Sequence, residues 1–490
     1  MKKKLSLHLL LIANTVLLTV AANTSAQQSL TTWPTSPAPY QKVLDAGDCG
    51  KRLYVDDASI FAADDWVLLV QHRGASAEGE ECSRYGKVQE YSAAGNFELA
   101  RVESVETQPS QGEEYVVLKA CPSLFYYAAI WAPGNTDFPN NNLYGYQLVK
   151  VHYTDGDLTI DASQQSGTLQ APAWDGATGG VIAIIATGTI TLEANIDVSG
   201  AGFVGGEPNA TDNSDVDQTA YEVSSADKAG NKGAGIVTGS SSLLGRGGMA
   251  NAGGGGGGKN AGGGGGSNFG AGGHGGDQIG TEDDPNTTAD DENQKIGGEG
   301  GWPLQYDALN RTQVFFGGGG GGGHRSQKGT TIQNESKGGS GGGIILIMAN
   351  KMEVDGSRTI NASGANGHNA EPGDNGAGGG GGGGTVLLDI PTITIPTGLT
   401  GDLTVNVEGG DGGNTNEAHC TGPGGGGGGG VVWFRTSTKP SIITVQKGQG
   451  TKGSALNCSS SPHNAEDGEE GAELFNLTYP KWYDINESPI

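Results

Sequence analysis

Four histidines, His274, His324, His368 and His419, stand in or beside glycine-rich stretches, and acid–base or metal chemistry would start from such side chains. A zinc site needs two or three of them converging with carboxylates or thiolates. Their spacing is irregular and no pair is four apart, so they read as solvent-facing loop histidines. The acidic clusters Asp212-Asn213-Ser214-Asp215-Val216-Asp217 and Glu282-Asp283-Asp284 could supply oxygen ligands to calcium. Neither has the spaced acids, central glycine and closing glutamate of a helix–loop–helix site, so both read as solvated acidic loops. Gly338-Gly339-Ser340-Gly341-Gly342 satisfies the nucleophile-elbow pattern, but an elbow needs a strand before it and a helix after it, and here a strand pattern follows. The run Gly253 to Gly258 before Lys259-Asn260 nearly matches a phosphate loop. It lacks the Ser or Thr that ligates magnesium and no helical pattern follows. Paired carboxylates for glycoside cleavage cannot be recognised by spacing, because they meet only in the fold. No catalytic, cofactor-binding or metal residue is assigned, and the expectation is a protein without enzymatic activity.

The five cysteines are Cys49, Cys82, Cys121, Cys420 and Cys458. Cys420 and Cys458 form the natural local disulfide. One of Cys49, Cys82 and Cys121 is then left over as an inert thiol, and spacing does not say which. Aromatic residues cluster at Phe125-Tyr126-Tyr127, Trp131 and Phe138, and again at Trp302, Tyr306, Phe315 and Phe316. Exposed aromatics serve as sugar platforms, but packing is their commoner use and is expected here.

The elements that must position these residues are marked by glycine. Seven consecutive glycines occur at 317–323, 378–384 and 424–430, with shorter runs at 253–258 and 262–266. A flexible linker has no reason to end each time at a buried strand. Yet Gly384 feeds into Thr385-Val386-Leu387-Leu388-Asp389-Ile390, Gly430 into Val431-Val432-Trp433-Phe434, and Gly343 into Ile344-Ile345-Leu346-Ile347-Met348. These runs are expected to be ordered and packed side by side as extended three-residue-per-turn helices, with Gly320, Gly381 and Gly427 as structural mid-run positions. The same strand entries recur with Val181-Ile182-Ala183-Ile184, and each unit exits through a motif such as Ile196-Asp197-Val198-Ser199-Gly200 or Ile360-Asn361-Ala362-Ser363-Gly364. That is the pattern of stacked strand coils, each burying its apolar face against its neighbours.

Upstream, glycine is ordinary and short alternating strands dominate. The chain therefore divides into a signal peptide (1–26), a loose lead-in (27–40), a small N-terminal β-barrel or sandwich (41–153) and a glycine-rich all-β repeat domain (154–490) with an insertion at 201–341. Lys2-Lys3-Lys4, the apolar stretch to Ala22 and the small residues Thr24-Ser25-Ala26 make the leader secretory, with Asn14 interrupting any membrane span. The net charge is −26, which disfavours nucleic acid and anionic membranes as partners.

Trp66-Val67-Leu68-Leu69-Val70-Gln71, Thr178-Gly179-Gly180-Val181-Ile182-Ala183, Ile196 to Phe203 and Gly422-Pro423-Gly424 before poly-Gly resemble glycine-rich exported proteins of Bacteroidetes-type gliding bacteria. The strand repeat alone resembles filamentous-haemagglutinin-like β-helices, and the glycine runs resemble polyglycine-helix adhesin tips. The resemblance implies a secreted or cell-surface structural or adhesive role, with self-association or surface glycans as partners. The alternative is a carbohydrate-binding module or a β-helix polysaccharide lyase or hydrolase. A lyase needs cationic groups against uronates, and Arg358 and Arg435 stand nearly alone around the repeats.

Overall fold

A computed structural model describes residues 28–36, 38–108, 112–126, 145–208, 220–223, 229–237, 244–258, 260–277, 296–306, 312–325, 335–370, 375–416, 420–456 and 462–478. The leader, both acidic clusters, Lys259, His419, Cys458, Tyr127, Trp131 and Phe138 lie outside these residues. Among the described residues no helix is long and apolar enough to cross a membrane, and the named elements are strands with two short 3-10 turns.

The first region is a closed barrel of six strands in the order Tyr40–Gly47, Arg52–Val55, Glu113–Leu118, Phe97–Gln108, Trp66–Gln71 and Tyr146–Lys150. Each neighbouring pair is antiparallel. Side chains alternate across a strand, and that alternation sorts the residues of Trp66–Gln71 into two cores. Val67 and Leu69 face the barrel interior with Val43, Leu53, Val55, Leu118 and Leu148, while Trp66, Leu68 and Val70 join the core shared with the rest of the chain. This strand is buried along its whole length because both its faces are covered. A disulfide between Cys49 and Cys121, 72 residues apart, ties a 3-10 turn to the loop after Glu113–Leu118. Cys82 is the left-over thiol.

The second region holds two parallel sheets. One runs Gln28–Leu30, Leu158–Ile160, Val181–Leu192, Ile344–Val354, Thr385–Asp389, Val431–Phe434, Ala472–Leu474; the other runs Thr168–Gln170, Asn195–Asp197, Arg358–Asn361, Leu403–Asn406, Ile443–Gln446. Corresponding residues stack in columns: Ile182 on Ile345, Val386 and Val432, and Ile184 on Ile347, Leu388 and Phe434. Near-continuous apolar runs suit strands buried on both faces. The polar exits stack as well. Asp197, Asn361 and Asn406 lie in register, and each accepts through Oδ1 the amide two residues on, from Ser199, Ser363 and Glu408, at 2.9, 3.2 and 2.9 Å. The recurring exit motif is thus an Asx turn that releases the chain from the sheet.

The lead-in is not loose. Gln28–Leu30 adds an edge strand parallel to Leu158–Ile160, and Trp33 is buried with its indole N–H donating to the Tyr40 hydroxyl at 2.8 Å. That hydroxyl in turn donates to the Val181 carbonyl at 2.6 Å. Polar, proline-bearing sequence conceals the anchor because one strand residue, Leu30, and one indole carry it.

The 201–341 segment contributes no named strand among its described residues. Its glycines are bonded through the backbone instead. Along Gly317 to His324 the amide donors sort into three sets. Gly317, Gly320 and Gly323 donate to Gly342, Gly339 and Ser336; Gly318, Gly321 and His324 donate to Ser267, Gly264 and Ala261; Gly319 and Gly322 donate to Ala234 and Asn231. Donors climb by three as acceptors fall by three. The runs at 378–384 and 424–430 also alternate among three neighbours, with acceptors falling by three in some sets (His368, Ala365 and Ala362 for Gly378, Gly381 and Gly384) and climbing by three in others (Gly425 and Gly428 for Gly380 and Gly383). Every residue in all three runs is buried.

Candidate functional site

Where the barrel meets this glycine network, the chain leaves an open cleft of about 1250 Å³. One wall is the hairpin that pairs Ser76–Ala77 with Val88–Glu90 and the loop between these strands. The other wall is glycine-rich backbone at Ala271 to His274 and Glu299 to Gln305, closed by Glu469. The hairpin loop can dock only because residue 86 is glycine. Its φ is +75°, and a Cβ there would lie 1.8 Å from the Gly248 carbonyl oxygen. The docked loop then fixes Trp302, whose indole N–H donates to the Tyr85 carbonyl at 2.9 Å while its amide donates to Ala250 at 2.7 Å. Trp302 is half-buried, and Phe269, at 37% exposure, is the most open ring of the cleft.

Behind the aromatic wall is a buried polar chain. Tyr85 and Tyr221 stack with centroids 5.2 Å apart. The Tyr85 hydroxyl donates to Glu222 at 2.5 Å and accepts from the Lys232 ammonium at 3.0 Å. Lys232 donates further to the Tyr221 and Gly247 carbonyls, both at 2.7 Å. Burial pushes the Lys232 pKa down to about 7, against the pull of Glu222 and Glu81 and with the help of Arg246. Its three donors are all taken, so it holds the loop in place rather than facing a ligand.

His274 lies on the opposite side. Its Nδ1 is 3.0 Å from Glu299 and its Nε2 is 3.7 Å from Glu466. Glu299 also pairs with the buried Arg246, whose guanidinium lies 5.1 Å over the Tyr221 ring. The hydrogen bond to Glu299 raises the His274 pKa above its ordinary value despite partial burial. Burial works against ionising Glu299, but the hydrogen bond and charge of His274 and the charge of Arg246 outweigh it and hold its carboxyl low. A general acid for glycoside cleavage needs the opposite, a raised carboxyl pKa. The His274–Glu299–Arg246 group is therefore equipped to clamp segments together, and to present charge.

The remaining candidates scatter. His324 is fully buried among backbone, with Nδ1 accepting the Asn260 amide at 3.2 Å, which corrects its reading as a solvent-facing loop residue. His274 is likewise paired rather than loose. His368 is exposed, as a loop histidine is expected to be, and the partial desolvation of its ring, helped by the charge of Lys337, lowers its pKa. Tyr306, Phe315 and Phe316 are core residues, and Tyr126 stacks on Tyr146 at 4.9 Å, as packing predicts. Ser340 precedes the strand Ile344–Val354 rather than a helix, so the elbow pattern is a coincidence of glycine content. Cys420 is disulfide-bonded, and its predicted partner Cys458 lies outside the described residues. Among the described residues no group of three His, Cys, Asp or Glu is placed to hold a metal ion.

The three mid-run glycines lie in backbone contact. A Cβ at Gly320 would fall 2.2 Å from the Gly379 oxygen, at Gly381 2.1 Å from Ser340, and at Gly427 2.0 Å from Gly381. Sequence reasoning missed Tyr85, Tyr221, Lys232, Arg246 and Glu299. Partners such as Tyr85 and Glu222 are 137 residues apart and share no spacing signal. Comparison with family models, curated proteins and solved structures gives no match, so the functional reading stands on this geometry.

Proposed function

We propose that the protein is a non-enzymatic extracellular structural or adhesive protein, in which the glycine runs are polyglycine helices packed into a rigid bundle. The observation that carries this reading is the threefold alternation of amide donors along Gly317 to His324. A chain with three residues per turn directs successive N–H groups to three sides, and only glycine lets neighbouring backbones come close enough to accept them. Each ordered residue costs ~1–2 kcal/mol of backbone entropy. Bonds shared among several runs offset that cost where a single run could not.

A bundle of such runs gains no acid, base or nucleophile from the glycines themselves. It is suited to holding surface loops at fixed positions, and the leader at Lys2-Lys3-Lys4 directs the chain out of the cell. Purified protein should be retained on polysaccharide-coated surfaces without generating new reducing ends or unsaturated products. Turnover of any polysaccharide in such a panel, abolished by a single carboxylate substitution, would overturn the reading.

A further inference from the structure

The cleft between the hairpin and the glycine runs carries groups that the scaffold does not need. Phe269 keeps 37% of its surface exposed, whereas its neighbours Leu304 and Tyr306 are buried. It stands against Tyr306 with centroids 6.2 Å apart, so its inner face is backed and its outer part is open. Trp302 is held by its indole N–H, which orients the ring without covering it. The Lys87 ammonium lies 5.8 Å from the Trp302 centroid, so this ring already attracts a cation from the cleft side.

The charge around these rings is mostly negative. Among the described residues, Glu90 and Glu469 line the cleft and are exposed, with exposed Glu466 beside His274; the cationic groups of the lining that reach solvent are Lys87 and the partly exposed His274. Glu299 is neutralised from behind by Arg246. The whole chain adds a field of net charge −26. Uronate or sulfated chains would meet repulsion here, whereas sugar rings carrying ammonium groups would meet both carboxylates and aromatic faces.

We propose that this cleft binds a polysaccharide bearing free amino groups, a chain of hexosamine units, stacking pyranose rings on Phe269 and Trp302 and pairing ammonium groups with Glu90 and Glu469. The proposal deepens the adhesive reading and rests on it. Stacking supplies affinity for any pyranose, and the carboxylates select the amine. The backbone on both walls is locked by the glycine network: on one, Ala271 accepts the Glu469 amide at 2.8 Å and the Glu469 carbonyl accepts Gly429 at 2.8 Å, and on the other the Gly86 carbonyl accepts the Ala250 amide at 2.7 Å. The site is therefore preformed, which limits the entropy lost on binding.

The test is calorimetric titration of the full chain with a β-linked glucosamine hexamer, its N-acetylated counterpart and an oligouronate of equal length. The glucosamine hexamer should bind, the acetylated form about tenfold more weakly, and the oligouronate should not compete. Phe269→Ala should lower affinity about tenfold and Glu469→Gln several-fold, with melting temperatures unchanged. Trp302→Ala removes both the ring and its indole bond to the docked loop; Trp302→Phe loses the same bond but keeps an aromatic face, so it should retain more of the binding than Trp302→Ala. Equal affinity for the oligouronate, or undiminished binding by both Phe269→Ala and Glu469→Gln, would overturn the assignment. Undiminished adhesion of those variants to polysaccharide surfaces would sink the cleft alone and leave the adhesive scaffold standing. Cleavage of a hexamer whose binding still needs Phe269 would keep the cleft and remove the non-enzymatic reading.

Discussion

The barrel and the glycine region bury their backbones by opposite means. In the barrel, antiparallel strands keep their distance and Val43, Leu53, Val55, Leu118 and Leu148 fill the space between. In the glycine region the filler is missing and backbones come so close that an added Cβ at Gly320, Gly381 or Gly427 would lie within 2.2 Å of a carbonyl oxygen. The first arrangement depends on the volume of side chains, the second on their absence. A barrel core can repack around a substitution of similar size. A glycine run has no rotamer to adjust, so any side chain must move a backbone that is itself bonded on three sides.

The largest effect that would break this contrast is expected at the barrel's covalent bond. Replacing Cys49 and Cys121 together by Ser releases a closure of 72 residues and should cost ~4 kcal/mol in the chain-entropy account. Urea titration measures it; a loss below ~1 kcal/mol would mean that packing against the glycine region already holds the barrel shut. Peptide mapping without reduction should recover the Cys49–Cys121 link, leave Cys82 open to alkylation, and name the partner of Cys420.

Next in size are the glycine substitutions. Gly381→Ala should cost about 3 kcal/mol, because the methyl group meets the Ser340 carbonyl at 2.1 Å, a backbone atom that cannot rotate away. Gly320→Ala and Gly427→Ala should do the same. In a flexible linker these changes would be neutral or slightly stabilising. Unchanged melting temperatures for all three variants would return the runs to linkers. The barrel supplies the matching control: Leu53→Met should cost less than ~1.5 kcal/mol, since the core is asked only to accommodate a similar volume.

The smallest effect concerns pH at the cleft. His274 is raised by its bond to Glu299, so its contribution is fully present below the ordinary imidazole value of 6.5 and is lost as pH climbs through the raised value. Glu299 is held low, so its contribution is present above the ordinary carboxyl value of 4.5 and is lost as pH falls through the lowered one. The pair is thus most stabilising between those limits. His274 is almost half exposed, which screens the interaction, so the change should stay under ~1 kcal/mol. Thermal melts carried from below the ordinary carboxyl value to above the raised imidazole value should show His274→Ala removing the alkaline decline. An unaltered pH profile would mean that the imidazole carries no charge in the clamp.

The order in which these elements can be read follows from the range of the forces involved. Strand entries such as Ile344 to Met348, four of the six barrel strands, and the repeated exit motifs around Asp197, Asn361 and Asn406 were legible in the sequence, although the Asx turns that make those exits were not read there. Apolar runs, two-residue alternation and side-chain bonds to the next amide but one are all local. The runs of glycine were visible too, but not which neighbours they bond, because residues without side chains carry no complementarity that a linear pattern could display. Tertiary structure alone chose Cys121 over Cys82 as the partner of Cys49, folded Gln28–Leu30 onto the edge of a sheet through Leu158–Ile160, and buried His324. It also assembled the cleft, where Tyr85, Tyr221, Phe269, His274 and Trp302 meet from segments with no common period. Such meetings are decided by the closeness that glycine permits between distant stretches of backbone, a quantity set by the packing of the whole chain and written at no single position.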